Sequence, residues 1–454
     1  MDERIFTSKI SGSVRFNTDG MYTYFQPNEL PFDIEFSKHI YRESTSAVLS
    51  LGNLNGRVSG MEEEERSVLF DTLTLKESVH SSSIEGTRST IGDVYRSEKE
   101  NVEGTALRDV EEVRNYIEAL KYGVKAIQEG EGITVELIHR LHRILLAGTR
   151  GSDKSPGMFK TSQNAIGMPG DTLDTAKMVP APPEAVERLM ENLLEFLDSD
   201  EDPLIKIALA HYQFETIHPY RDGNGRIGRL LIMLTMVKEG LLTFPILYPS
   251  EYFDRNRDTY IDLLFGVSSA DRFDEWLDFF IGAMKEQADG SARMIDALRS
   301  YKRKLESLCD TLAEKRLVDL LFRNPYVRVA DVSSFCEISA PTAAKAIGKL
   351  VSAGALREIT GRKKSRLYVA DGILEILTGR RCTDWKPNLR GDFRLTDRKD
   401  GWSKKNTSED RLQKQHVRWG WEEPTPGFLG FRKRSGRAFW AHPRRSCRRG
   451  RLPP

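Results

Sequence analysis

Cysteine is scarce in this sequence: four residues in 454, at positions 309, 336, 382 and 447. They lie far apart and form no CxxC pair. This argues against a disulfide framework or a cysteine-based zinc site and fits a reducing, cytoplasmic setting. Long apolar runs are missing as well. The longest, LLIMLTMV at 230–237, falls well short of the roughly 20 residues a membrane-spanning helix needs. The start, MDERIFTSKISG, is charged and has no apolar stretch of the kind a secretory signal carries. Net charge is nearly absent too, with 68 Lys+Arg against 67 Asp+Glu. That balance hides a split. Residues 380–454 hold 21 basic and 8 acidic residues, whereas the 379 before them hold 47 and 59. An acidic body and a basic tail call for separate explanations.

The chain is long enough for two or three domains, each with its own core. Residues 1–60 are mixed, with turn signals at NTDG and QPNELPFD. From about Glu62 to residue 316 helical signals dominate. RSVLFDTLTLKESVHSSSIEG ends at Gly86, a plausible terminating glycine. In 106–127, Val110, Val113, Ile117, Leu120 and Val124 recur at three- and four-residue intervals, an amphipathic helix. Thr134 is placed to cap the next, over 134–148. A Gly-rich stretch, SPGMFKTSQNAIGMPGD at 155–171, reads as a hairpin or loop. Helices resume at 182–199, 203–217 and 226–240, and two or three more are expected in 250–316. Residues 317–378 change character and read as helix, turn, helix and two short strands around GRKK, the pattern of a winged helix-turn-helix. From 380 on, periodicity disappears. Five of the six tryptophans fall there beside repeated basic clusters, and the segment is expected to lie outside the folded protein. A nucleic-acid-binding arm is the alternative.

The densest chemistry is HPYRDGNGRIGR at 218–229. Three glycines and an asparagine disfavour helix and strand, and a core has no use for so many charges. After a helix ending near Ile217, the Gly and Asn positions are able to take positive φ and turn successive N–H groups toward one centre, an anion nest opening into the next helix. Arg226 and Arg229 project from one face of that helix near its positive end, an unfavourable pair unless an anion sits between them. Asp222 adds a single carboxylate, enough with phosphate oxygens to hold Mg²⁺. His218 is able to take a proton near neutral pH. Together they suit transfer of a phosphorus-centred group. GNGRIG also fits G-x-G-x-x-G, but a helix rather than a strand precedes it, which removes the dinucleotide reading. His139 and His142 share a helix face without an HExxH pattern and read as half-buried packing residues.

The twelve residues resemble the signature of the Fic family, HPFxDGNGRxxR, at every position except Tyr220 for the usual Phe. SPGMFKTSQNAIG resembles the Fic flap, a β-hairpin, with Lys160 where relatives often carry Arg. YFQPNELPFDIEF resembles the start of the Fic N-terminal region, and SSSIEG resembles the inhibitory motif [S/T]xxxE[G/N]. The resemblance implies a mainly α fold: an N-terminal region with an inhibitory helix (1–100), a Fic-type helical core with its β-hairpin flap (101–300), and a winged helix-turn-helix (301–379). It also implies AMP transfer from Mg-ATP to a Ser, Thr or Tyr hydroxyl of a protein, this chain included. His218 would be the base and Asp222 the Mg²⁺ carboxylate. Gly223, Asn224 and Gly225 would form the anion hole, Arg226 would contact phosphates and Arg229 the γ-phosphate. Ser81, Glu85 and Gly86 would form the inhibitory element, with Glu85 competing for Arg229. Lys160, Thr161, Gln163 and Asn164 would position the target. Two other readings stand beside this one: removal of AMP through water activated by Glu85, and a DNA-binding regulator whose Fic site senses nucleotide. A homodimer and DNA bound through the winged helix are further candidate partners; a membrane partner is not expected.

Overall fold

The computed structural model describes residues 1–100, 103–167 and 170–379; the basic tail, 380–454, lies outside the described residues. The chain opens with an antiparallel hairpin of β1 (Gly12–Asn17) and β2 (Tyr22–Pro27), paired from Gly12↔Pro27 to Asn17↔Tyr22. The NTDG signal makes its turn, with the Asn17 side-chain oxygen accepting from the Gly20 amide at 2.7 Å. Helices follow almost without interruption: α1 (Lys38–Ser59), α2 (Glu63–Ile84), α3 (Ile91–Ser97), α4 (Gly104–Gln128), α5 (Val135–Leu145), α6 (Pro183–Phe196), α7 (Pro203–Ile217) and α8 (Asn224–Lys238). Then come α9 (Ser250–Arg255), α10 (Arg257–Ala270) and the long α11 (Phe273–Glu306). The fold is mainly α, as expected.

α7 and α8 form the centre. All but two of the fifteen residues of α7 are buried, and a helix apolar on every side belongs in the middle of a core. α7 packs on α6, α8 and α11, and α8 packs on α4. Local signals set the helix ends that matter. The Asp202 carboxylate caps α7, accepting from the amides of Leu204 and Ile205 with Pro203 at the first helical position. Thr134 caps α5 through the Leu137 amide. α2 stops at Glu85, where Gly86 takes φ +93°.

Three expectations change. α1 was not legible as a helix, because its sequence is rich in Ser, Asn and Gly. Packing along α11 forms it. The stretch from 155 contains no paired strands: among the described residues it makes one antiparallel bridge, Ile166↔Met178, so the expected β-hairpin is an irregular flap. The C-terminal module comprises α12 (Leu312–Arg323), β3 (Tyr326–Arg328), α13 (Val329–Cys336), α14 (Ala340–Ser352), β4 (Arg357–Glu358), β5 (Leu367–Val369) and α15 (Asp371–Thr378). Its antiparallel sheet runs β3-β5-β4, so it has one strand and two helices more than its sequence pattern announces. Ser339 caps α14 through the Thr342 amide, and Gly354 follows its end at φ +71°. The module rests on the body: the buried Lys76 ammonium of α2 donates to the Leu377 carbonyl at 2.7 Å and to Glu251 at 2.9 Å.

Candidate active site

The turn between α7 and α8 places the charged motif. His218 caps α7 in the left-handed region at φ +51°, and Pro219 blocks another helical turn. Gly223 is left-handed at φ +78°, and α8 begins at Asn224. Of the three nest positions, only Gly223 has positive φ; Asn224 and Gly225 already belong to the first turn of the helix, where backbone N–H groups lack carbonyl partners within the helix. Asn224 instead closes the loop. Its Oδ1 accepts from the Tyr220 amide at 2.8 Å and its Nδ2 donates to the Tyr220 carbonyl at 2.7 Å.

Two neighbours brace this loop. From the flap, the Lys160 amide donates to the Pro219 carbonyl (2.8 Å), and Asn164 Nδ2 donates to the carbonyls of Tyr220 (2.9 Å) and His218 (3.3 Å). The Lys160 ammonium is buried against Asn164 Oδ1 and the Ile217 carbonyl. Lys160 and Asn164, expected to face a target, therefore point inward and support the motif. Gln163 is half-buried and holds the Pro180 carbonyl, leaving Thr161 exposed. From α5, the buried His142 ring stacks on Tyr220 at 3.8 Å. Burial lowers its pKa to about 4, so the neutral ring donates from Nε2 to the Asp222 carbonyl and accepts at Nδ1 from the Gly157 amide. His139 meets the Tyr220 hydroxyl at 2.8 Å. The histidine pair packs, as its spacing suggests, and it packs on the motif.

Within this frame the charges are held close. His218 is 6% exposed. Burial and the nearby Lys160 charge lower its pKa to about 3, so it is neutral. Its Nδ1 lies 3.1 Å from the Glu215 carbonyl; a carbonyl only accepts, so Nδ1 carries the proton and Nε2 the lone pair. Asp222 lies against Gly151, where a Cβ would sit 2.7 Å from Asp222 Oδ2. Burial raises the Asp222 pKa against the opposing pull of Arg226.

Arg226 and Arg229 are each 1% exposed. Arg226 has acids nearby, Asp222 at 3.6 Å and Glu112 at 3.8 Å, yet its buried Nε and Nη1 make no hydrogen bond. Two orphaned guanidinium nitrogens in a core are costly, and an oxyanion would satisfy them. Arg229, by contrast, is engaged through Nε and Nη2. Its Nε donates to Ser81 Oγ (2.9 Å), and its Nη2 donates to the Ser81 carbonyl (3.0 Å) and Glu85 Oε1 (2.7 Å). Burial works to raise the Glu85 pKa, but Arg229 outweighs it by charge and hydrogen bond and holds the carboxylate ionised. The carboxylate rests on the first turn of α8: a Cβ on Gly225 would collide with Glu85 Oε1 and lie 3.0 Å from Arg229 Nη1. Gly86 stays at the end of α2 and touches neither arginine through a side chain.

These groups line one wall of a cleft of about 840 Å³, part of it open to solvent. Its lining combines Glu85, His218, Asp222, Gly225 and Arg229 with the apolar Ile166, Met178, Ile261, Leu264 and Phe265, and Lys177 lies over the Phe265 ring. Sequence reasoning did not find Glu112 and Arg150, which reach the site from distant parts of the chain, or Glu215, three residues before His218 on α7. Among the described residues no group of three or more His, Cys, Asp or Glu side chains forms a metal cage.

Residues 132–236 match the Fic/DOC family, and residues 41–125 match the Fic/DOC family N-terminal region. The chain carries a Fic/DOC domain and a Fic/DOC N-terminal region. Its similarity to a protein adenylyltransferase of Caenorhabditis elegans is 25% identity over 247 residues, 51% of this chain and 46% of that protein. A probable protein adenylyltransferase of Aquifex aeolicus is 30% identical over 198 residues, 43% of this chain and 55% of its own. The Fic protein adenylyltransferase of Nematostella vectensis is 31% identical over 168 residues, 36% of this chain and 37% of its own. The chain thus spans about half the length or less of these relatives. A crystal structure of a Fic family protein from Desulfovibrio desulfuricans aligns with 74% of this chain and 97% of its own, at a TM-score of 0.47 and 20% identity. Among the described residues no helix is long and apolar enough to cross a membrane.

Proposed function

We propose that this Fic chain is a self-inhibited protein adenylyltransferase, moving AMP from Mg-ATP to a Ser, Thr or Tyr hydroxyl of a protein, itself included. The observation that carries the reading is the Glu85 carboxylate on Arg229 and over Gly225, an anion of the chain's own seated where a phosphate would go. The orphaned nitrogens of Arg226 call for a further anion in the same place. The apolar residues lining the cleft suit a nucleobase.

In the reaction, His218 Nε2 takes the proton of the attacking hydroxyl. The hydroxyl oxygen bonds to the α-phosphorus, the bond from that phosphorus to the bridging oxygen breaks, and pyrophosphate leaves. The first-turn amides of α8 and Arg226 stabilise charge on the phosphates, and Arg229 takes the γ-phosphate once Glu85 has left. Asp222 would hold Mg²⁺, which supplies charge neutralisation on the phosphates when bound. Mass spectrometry of Glu85→Gly protein incubated with Mg-ATP, other nucleotides serving as controls, tests the reading. An AMP adduct that the unaltered chain forms at least about tenfold more slowly is expected; no adduct, or equal rates, would sink it.

A second reading concerns the C-terminal module. Residues 361–366, GRKKSR, are fully exposed between β4 and β5, and the first turn of α14 presents Ser339, Pro341, Thr342 and Lys345 to solvent. Such a basic tip beside an open helix start suits duplex DNA. Binding that weakens steeply with salt and is lost in Lys363→Glu/Lys364→Glu protein supports this; salt-insensitive or absent binding argues against it.

A further inference from the structure

We propose that Glu112 is a positioning residue that ties the inhibitory segment to the phosphate side of the site, with Thr87 as the latch it holds. This rests on the reading of Glu85 as inhibitor. Glu112 lies on α4, 3% exposed, far in sequence from everything it touches. Its Oε2 accepts from the Thr87 hydroxyl at 2.6 Å and from Arg150 Nη2 at 3.4 Å, and lies 3.8 Å from Arg226 Nη1. Arg150 Nη2 also donates to the Glu85 backbone carbonyl at 3.4 Å.

Beyond the amide bonds to the Ser82 and Ser83 carbonyls that close α2, segment 85–87 is held to the site at three points: the Glu85 carboxylate on Arg229, the Glu85 carbonyl on Arg150, and the Thr87 hydroxyl on Glu112. Two of the three lead to the same buried carboxylate. Only Gly86, at φ +93°, separates the inhibitory side chain from Thr87. A withdrawal of Glu85 that carries this turn away also breaks the Thr87 bond. Glu112 would then be left to its two arginines. In the inhibited state one oxygen is shared between the latch and the arginines; in the open state it serves the arginines alone and holds Arg226 toward the phosphates. Thr87 thus acts on the closed state only, and the Glu112 charge on the open state as well.

A double-mutant comparison separates these roles. Thr87→Val keeps the shape of a buried side chain and removes the hydroxyl. It should raise auto-AMPylation about tenfold in the chain with Glu85 and leave the Glu85→Gly chain unchanged, while Thr87→Ser should behave as the unaltered chain. Glu112→Gln retains an acceptor for Thr87 but loses the charge, so in the Glu85→Gly chain it should raise the KM for ATP by about tenfold with little change in kcat. Melting temperatures of all variants report folding. The latch is overturned if Thr87→Val is silent with Glu85 present, or activates equally without it, while Glu85→Gly itself activates. An unchanged KM in Glu112→Gln overturns the positioning half. A Glu85→Gly chain that fails to activate removes the inhibitory reading itself, a different result from either.

Discussion

Two short segments break their helices within a few ångströms of each other, and they are built differently. The motif turn, residues 218–223, is buried and braced from the flap, from α5 and from its own Asn224. The segment after α2 has a left-handed residue likewise, Gly86, yet Glu85 remains about a quarter exposed, and beyond the amides that close α2 the segment meets the rest of the site through the side chains of Arg229, Arg150 and Glu112. The catalytic turn is made not to move, and the inhibitory turn is made to be released. Removing brace residues should therefore damage the fold, and removing inhibitory ones should change the rate.

The largest effect is expected at the turn's chemistry. In the Glu85→Gly chain, His218→Ala should lower AMP transfer by about 10²–10⁴-fold with melting nearly unchanged, read by labelled-ATP incorporation. Next comes a brace. Asn164→Ala deletes two donated bonds and one accepted bond beneath the loop. It should cost about 2–3 kcal/mol of stability in denaturant titration, with activity falling because the turn loosens. The contrast would collapse if this variant kept full stability.

A smaller, pH-dependent effect is expected at Glu215. Its Oε1 is buried without a hydrogen-bond partner; burial raises its pKa to about 8, against the pull of Arg229. The folded chain then holds a proton that the unfolded chain releases near its ordinary pKa of about 4.3. This contribution to stability is complete below that value, is lost as pH rises toward 8, and is flat above. Glu215→Gln carries no such proton, so its stability relative to the unaltered chain should grow between pH 5 and 8 in melting curves and then level off. The smallest effect belongs to Thr161, exposed on the flap: Thr161→Ala should leave melting unchanged and alter only the rate of protein modification, by about twofold.

How much of this the sequence discloses follows from the distance over which each feature is determined. The ends of α2, α5, α7 and α14 are readable because a cap or a glycine within four residues settles them, as Thr134, Ser339 and Gly86 do. The chemistry of 218–229 is readable because its residue types are wasteful in any other role. α1 is not, since the partner that makes it a helix, α11, lies more than 200 residues away. The flap misleads because its Gly and polar content is equally compatible with a hairpin and with an irregular loop fastened to the motif. The inward course of Lys160 and Asn164, and the meeting of Glu112 with Thr87 and Arg226, depend on packing that no local spacing encodes. His142 had a usable signal: a polar ring on the apolar face of α5 needs partners, and the motif supplies them.

Arg229 cannot be left by itself. Its cation is sealed in a nearly dry interior, so departure of one negative group must be matched by arrival of another, and an empty intermediate would be scarce. Activation then behaves as an exchange rather than an opening, and the abundance of free nucleotide in the surroundings becomes one of the quantities that governs it.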